Sequence, residues 1–275
     1  MSRLLRDLFL ALVALFMIGP LVVIAGISVN SRRFLSFPPK GFSFRWYAEI
    51  VVNDAWFDAV KNSLTVATLS SLLSVSIALP IAYSLWRHRL LYARALYALG
   101  VAPFVLPPVI MALAFLLFWT TAGHHGQLEN VIISHAVFLV ALPLITISLG
   151  LESIEREVIE AAQTMGANEV TVFRTVTFPM VRPYVVSGYA FAFVLSLNEY
   201  IIAFMTVGFT METLPIKIFN SLRYGYTPVM GSVAVMFVVL AALIFGLIGR
   251  IGDLPKLLGA WSPKEDQGPR YGDLR

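Results

Sequence analysis

Cysteine is absent from the 275 residues, so no disulfide, thiolate metal site or cysteine nucleophile is available. Charge is scarce as well: Asp, Glu, Lys and Arg supply 13% of the chain, against 58% hydrophobic residues. No Gly-Lys dipeptide occurs, which excludes a P-loop, and neither His-Glu-x-x-His nor Gly-x-Ser-x-Gly is present. The chain is therefore not read as an enzyme and is expected to bind no cofactor. His124 and His125 are adjacent, but no third ligand stands at a recognisable spacing, so no metal site is expected.

What the chain does have is length of apolar sequence. A mean hydropathy of +0.80 and so few charges point to an all-α polytopic membrane protein. Six stretches approach the roughly 20 apolar residues that a helix needs to cross a bilayer: 8–29, 62–86, 97–120, 130–150, 184–207 and 232–250. Residues 1–7 form an N-terminal segment, 8–250 a six-helix transmembrane domain, and 251–275 a tail rich in Pro, Gly and charge that is expected to be poorly ordered. The first run follows Arg3 and Arg6 and is longer than the core of a secretory signal, so it reads as an uncleaved span.

The net charge of +4 does not imply nucleic acid, because the basic residues sit at the ends of apolar runs, where they report orientation. With six crossings, both termini, the 87–94 loop and the 151–183 loop share one side, and most of the 20 Lys and Arg residues fall there. Arg87, Arg89 and Arg94 are the densest local cluster. That side is expected to be the cytoplasm.

The longest polar insert is the 151–183 loop. Ile154, Val158, Ala161, Ala162 and Met165 recur at three- and four-residue spacing with Glu155, Glu157, Glu160 and Gln163 between them, which predicts an amphipathic helix. Gly166 can take the left-handed conformation that closes it. Asn168 can cap a second short helix with Val172, Phe173 and Val176 on its apolar side, and Pro179 and Pro183 are expected to stop regular winding. An ordinary surface helix with a glycine stop would share some of these features.

Glu160-Ala161-Ala162, three residues, Gly166, nine residues, then Val176-Thr177-Phe178-Pro179 resembles the loop by which permease subunits of ABC importers engage their ATPase. Val176 and Phe178 depart from that family's usual Ile-x-Leu-Pro ending and stay apolar. Gly41-Phe42-Ser43-Phe44-Arg45-Trp46-Tyr47, Asn62-Ser63-Leu64 and the order of spans and prolines are similar to the second permease of spermidine/putrescine-type systems. The resemblance implies a type I ABC importer permease fold in the bacterial inner membrane, moving a small solute by alternating access. It makes Glu160, Ala161, Ala162, Gly166 and Pro179 the coupling residues. The implied partners are a second permease, two copies of an ATPase subunit that uses ATP and Mg, and a solute-binding protein outside. Relatives of this topology carry polyamines, opines, phosphonates, thiamine or iron. A small, polyamine-like cation is favoured here.

Other residues invite specific roles. Glu199 is the one formal charge deep in a predicted span, where a charge costs about 2.5 to 3.5 kcal/mol on insertion scales unless it faces protein or water. With Asn198 it either lines the substrate path or partners a facing helix. Polyamine members of the family tend to carry two adjacent acids where this chain has Asn198-Glu199. Pro103, Pro107 and Pro108 in the third span and Pro143 in the fourth free backbone carbonyls, making them either gate elements or static kinks. Ser70, Ser71, Ser74 and Ser76 read as packing residues of the second span. Phe44, Trp46, Tyr47, Trp56 and Phe57 suggest a short helix flat on the outer surface, either an interface anchor or part of the binding-protein footprint. The 208–231 loop is expected to lie outside or to dip toward the gate. A secondary transporter would show coupling-ion residues in several spans or an internal repeat, neither of which is found, and a membrane anchor would not need proline-broken spans.

Overall fold

The computed structural model describes residues 3–88, 90–225 and 227–251. Among them the only β-pairing is an isolated bridge between Asn30 and Phe42. The rest of the ordered structure is helical: α1 (Arg3–Ser28), α2 (Arg45–Val52), α3 (Asp54–His88), α4 (Leu91–Val105), α5 (Pro108–Thr121), α6 (Leu128–Leu139), α7 (Ala141–Glu152), α8 (Arg156–Thr164), α9 (Glu169–Val172), α10 (Phe178–Asn198), α11 (Ile201–Val207), α12 (Leu214–Tyr224) and α13 (Val229–Ile251). A π-turn, Phe173–Thr177, joins α9 to α10. Four helices are individually long and apolar enough to span a bilayer, and two bent pairs bring the number to six.

The bent pairs correct the picture of simple spans. The third run is two helices, α4 and α5, meeting at 110°. A residue before proline is driven out of the helical region, and both Leu106 (ψ 147°) and Pro107 (ψ 133°), each followed by proline, are extended. Pro108 then starts α5, where a missing N–H costs nothing. The fourth run bends by only 42° between α6 and α7. The first span begins earlier than expected, at Arg3, and the helix of the second span reaches outward to Asp54. All of the 251–275 tail except Ile251 lies outside the described residues.

Three helices form the centre: α3, α7 and α10 pack on one another, with α6 and α11 beside them and α1 held mainly by α13. Small residues allow the approach. A β-carbon on Gly188 of α10 would lie 2.5 Å from Thr146 Oγ1 and 2.7 Å from Pro143 Cα of α7. Pro143, in the first turn of α7, is buried in that contact. The serines of α3 do what small hydroxyls do in an apolar bundle. Ser74 Oγ donates to the carbonyl of Ala136 on α6 at 3.0 Å, and Ser70 Oγ lies 3.2 Å from Ser196 Oγ on α10.

The short helix expected near these aromatic residues exists as α2, but the indoles of Trp46 on α2 and of Trp56 on α3 face inward. Trp46 and Trp56 are buried with Ile50, Ala59, Leu214, Val229, Met230 and Val233. The Trp46 indole N–H donates to the carbonyl of Asn30 at 2.6 Å, so protein supplies the polar contact that a membrane interface would otherwise provide. Phe44 and Phe57 remain exposed. The 208–231 loop contains α12, which packs on α3 and α10. It is pinned by Asn62, whose side-chain amide donates to the Glu212 carbonyl at 3.0 Å, and by Ser63 Oγ, which accepts from the Leu214 N–H at 2.7 Å.

Candidate functional site

The polar loop folds as two short helices around a glycine corner. Gly166 sits at φ +88°. The N–H of Gly166 donates to the Gln163 carbonyl at 2.9 Å and that of Ala167 to Ala162 at 3.1 Å, the paired closure that satisfies the last carbonyls of a helix. Asn168 caps α9 as its sequence position suggested: Oδ1 accepts from both the N–H and the hydroxyl of Thr171 at 2.9 Å.

The apolar stripe of α8 divides differently from its periodicity. Ile159, passed over in the sequence reading, is buried together with Ile154, and Ala162 is half-buried beside them. Val158, Ala161 and Met165 face out, Met165 with 89% of its surface exposed. The helix has two apolar edges: one is spent inside, and the other is unpartnered among the described residues and flanked by the exposed Glu157 and Glu160. Behind α8 is a cleft of about 650 Å³ lined by residues that include Trp86, Arg87, Glu152, Arg156, Glu160 and Gln163.

The inner edge is welded to the bundle. Ile154, Ile159 and Val172 belong to one buried cluster with Ala78 and Ala82 of α3, Leu144, Ile147 and Leu151 of α7, and Val181 of α10. Phe173 packs edge-on against Tyr83 of α3, with ring centroids 4.9 Å apart, and Arg87 reaches Glu169 at 3.2 Å. Pro179 and Pro183 do not stop the winding. The N–H of Phe178 bonds five residues back to Phe173. This wider turn absorbs the irregularity just before Pro179, which then occupies the first turn of α10 where its missing donor is tolerated. Pro183 is carried inside α10. The second half of the loop thus continues into the fifth span as one stretch, Glu169–Asn198.

At its other end that span is broken where the sequence suggested continuity. α10 stops at Asn198, Glu199 is extended (ψ 122°), and α11 begins at Ile201. Glu199 Oε1 accepts from the N–H groups of Ile201 and Ile202, both at 2.9 Å, and Oε2 accepts from Ala203 at 3.0 Å. Oε2 also lies 3.1 Å from Nε2 of His135 on α6, whose Nδ1 is 2.8 Å from Ser196 Oγ. The carboxylate thus meets a side chain of the facing helix α6. Nothing in the sequence of the fourth span singles out His135, because its partners Ser196 and Glu199 lie 61 and 64 residues away. Asn198 is exposed, its amide donating to the Val194 carbonyl at 2.8 Å. The glycine corner at Gly166 and the Asn198-Glu199 pair thus flank opposite ends of the helical stretch Glu169–Asn198.

Pro107 and Pro108 are exposed at the α4–α5 corner, with Pro103 in the last turn of α4. His125 Nε2 lies 3.2 Å from the Met205 carbonyl. Among the described residues no group of three or more His, Asp or Glu side chains could hold a metal ion.

Comparison with known proteins gives this geometry a family. The chain is 29% identical over 243 residues to the spermidine/putrescine transport system permease protein PotC of Haemophilus influenzae, covering 88% of this chain and 94% of that one. It is 31% identical over 268 residues to the putrescine transport system permease protein PotI of Escherichia coli strain K12, covering 94% and 92%. The fold matches a chain of a bacterial ABC transporter involved in the import of the acidic polysaccharide alginate, with a TM-score of 0.69, 18% identity, and coverage of 91% of this chain and 98% of that one. Residues 1–253 match the family described as the binding-protein-dependent transport system inner membrane component, and the chain belongs to that family as a multi-pass permease subunit of an ABC importer.

Proposed function

We propose that this permease forms half of a translocation path for a small organic cation of the polyamine type, and that a separate ATPase subunit drives it through α8. The relatives named for spermidine and putrescine support the cargo. The observation that carries the coupling role is the shared buried cluster of Ile154, Ile159 and Val172 with α3, α7 and α10. A push on the exposed edge of α8 is met by side chains already packed against three spans. Close-packed interiors transmit such displacement instead of absorbing it.

Val158, Ala161 and Met165, beside Glu157 and Glu160, offer the ATPase an apolar ridge with an acidic border. Gly166 sets the corner and Pro179 lies where the π-turn joins α10. On this reading α8 and both termini belong to the cytoplasmic side, and α2 with the 208–213 segment to the outer side, where a solute-binding protein would deliver cargo. A second permease completes the path. The ATPase pair supplies hydrolysis with ATP and Mg, since this chain has no P-loop.

Copurification from mild detergent, followed by uptake of labelled putrescine in cells lacking other polyamine importers, tests the reading. An ATPase subunit and a second permease should accompany the chain, and uptake should require all of them. A complex that forms but carries only an anion would remove the cargo assignment. Uptake by this chain alone would remove the coupling assignment.

A further inference from the structure

Four helices meet at one buried chain of polar groups. Ser70 on α3, Ser196 on α10 and His135 on α6 are each at most 5% exposed, and the Glu199 side chain is 10% exposed. The links run Ser70 to Ser196 at 3.2 Å, Ser196 to His135 Nδ1 at 2.8 Å, and His135 Nε2 to Glu199 at 3.1 Å. Glu199 ends the chain on the first three N–H groups of α11. With Nε2–H donating to the carboxylate, Nδ1 is free to accept from the Ser196 hydroxyl, and Ser196 in turn to accept from Ser70. Every polar atom in the sequence Ser70, Ser196, His135, Glu199 then has a partner, as burial requires.

Both carboxylate oxygens of Glu199 are consumed by donors from this chain, so the group is not held open for a cation. What it holds is the elbow: the extended residue between α10 and α11 keeps its shape because Glu199 replaces the partners that α11 would have had in an unbroken helix. Asn198, exposed on the near side of the elbow, and Tyr200, whose ring stands 4.7 Å from that of Phe219 on α12, take their places from it.

We propose that His135 is a positioning residue for transport: clamped between Ser196 and Glu199, it fixes the α10–α11 elbow, and Glu199 acts through that elbow without touching cargo. This rests on the permease reading but not on the identity of the cargo. A direct contact would be visible in apparent affinity. A positioning role appears in turnover per assembled complex and is restored by a side chain that remakes the bond.

The test is uptake by the intact importer in proteoliposomes, with labelled putrescine as probe and rates normalised to assembled complex. His135→Ala and Glu199→Ala should each lower maximal uptake about tenfold with KM within twofold of the parent. The double variant should be no slower than either single one, because the two residues act as a unit. His135→Gln, whose amide can reach the Nε2 position, should recover at least half of the rate. Glu199→Gln, which keeps an acceptor for the α11 N–H groups, should hold KM. A several-fold rise in KM for Glu199→Gln at full maximal rate would overturn the proposal in favour of cargo contact. Multiplicative losses in the double variant, or unchanged turnover in His135→Ala, would overturn it as well. If the parent complex takes up no putrescine, ATP hydrolysis stimulated by the loaded binding protein reads the same variants, so failure of the cargo assignment stays distinguishable.

Discussion

The N–H of Ala167 reaches the carbonyl of Ala162 across Gly166 at 3.1 Å. This bond turns the chain from the exposed helix α8 into the stretch that becomes the fifth span. Gly166 holds φ +88° with no atom within 4 Å of where a β-carbon would sit, so the site restricts conformation and not volume. Gly166→Leu should cost about 1–2 kcal/mol of backbone strain and leave the assembled complex near its normal level. Uptake should fall to background and stimulation of the ATPase should be disturbed. Normal substrate-stimulated hydrolysis and uptake in this variant would contradict a coupling role for the corner.

Gly188 is the opposite case, with ordinary helical backbone and no room. Its added β-carbon would meet Pro143 Cα at 2.7 Å, and a buried backbone atom in the first turn of α7 cannot step aside as a flexible side chain would. Gly188→Leu should separate α7 from α10 and destabilise the bundle by about 1–3 kcal/mol or more. A thermal melt of the detergent-purified complex should show a lower midpoint and reduced yield. An unchanged melt would mean that the two helices are not held at this distance.

Glu212 accepts hydrogen bonds from Lys217 Nζ at 2.6 Å and from the Asn220 amide at 2.7 Å. Partial burial works to raise its pKa, but these two hydrogen bonds and the charge of Lys217 outweigh it and hold the carboxyl below its ordinary value of 4.5. A carboxylate with a lowered folded-state pKa contributes stability that is fully present above the unfolded value. The contribution fades as pH falls through the folded one. The stability difference between the parent and Glu212→Gln should therefore be constant from neutral pH down to about 5 and shrink at more acidic pH. A difference that grew on acidification would reverse the sign of this argument.

Much of this architecture is legible in the residues, and the exceptions share a cause. Asn168 and Gly166 act on their nearest neighbours, so their roles could be read from a few positions of sequence. Ile159 could not be placed, because α8 has two apolar edges and a periodic pattern does not say which one the bundle takes. Trp46 and Trp56 look like interface anchors until Asn30 and the α13 residues come against them from distant positions. Pro179 and Pro183 announce a stop that a π-turn removes. Glu199 followed by Ile201, Ile202 and Ala203 resembles a helix start, but a continuous apolar run hid the break, and only the fold brings His135 to it. The double proline at 107–108 marked irregularity, while neither the 110° angle nor the packing of α5 against α11 could be read from neighbouring residues.

The central claim is that α8 is the face on which an ATPase subunit acts, and the absence of native cysteine makes one measurement direct. Val158→Cys and Met165→Cys, each the only thiol of this chain, should crosslink to a cysteine-bearing ATPase subunit in the intact importer. Both should react with a membrane-impermeant maleimide only after the cytoplasmic face is opened, and crosslinking yield should change between the nucleotide-free and ATP-bound states. Labelling from outside sealed cells, or no crosslink to the ATPase from either position in an assembly that transports normally, would contradict the account.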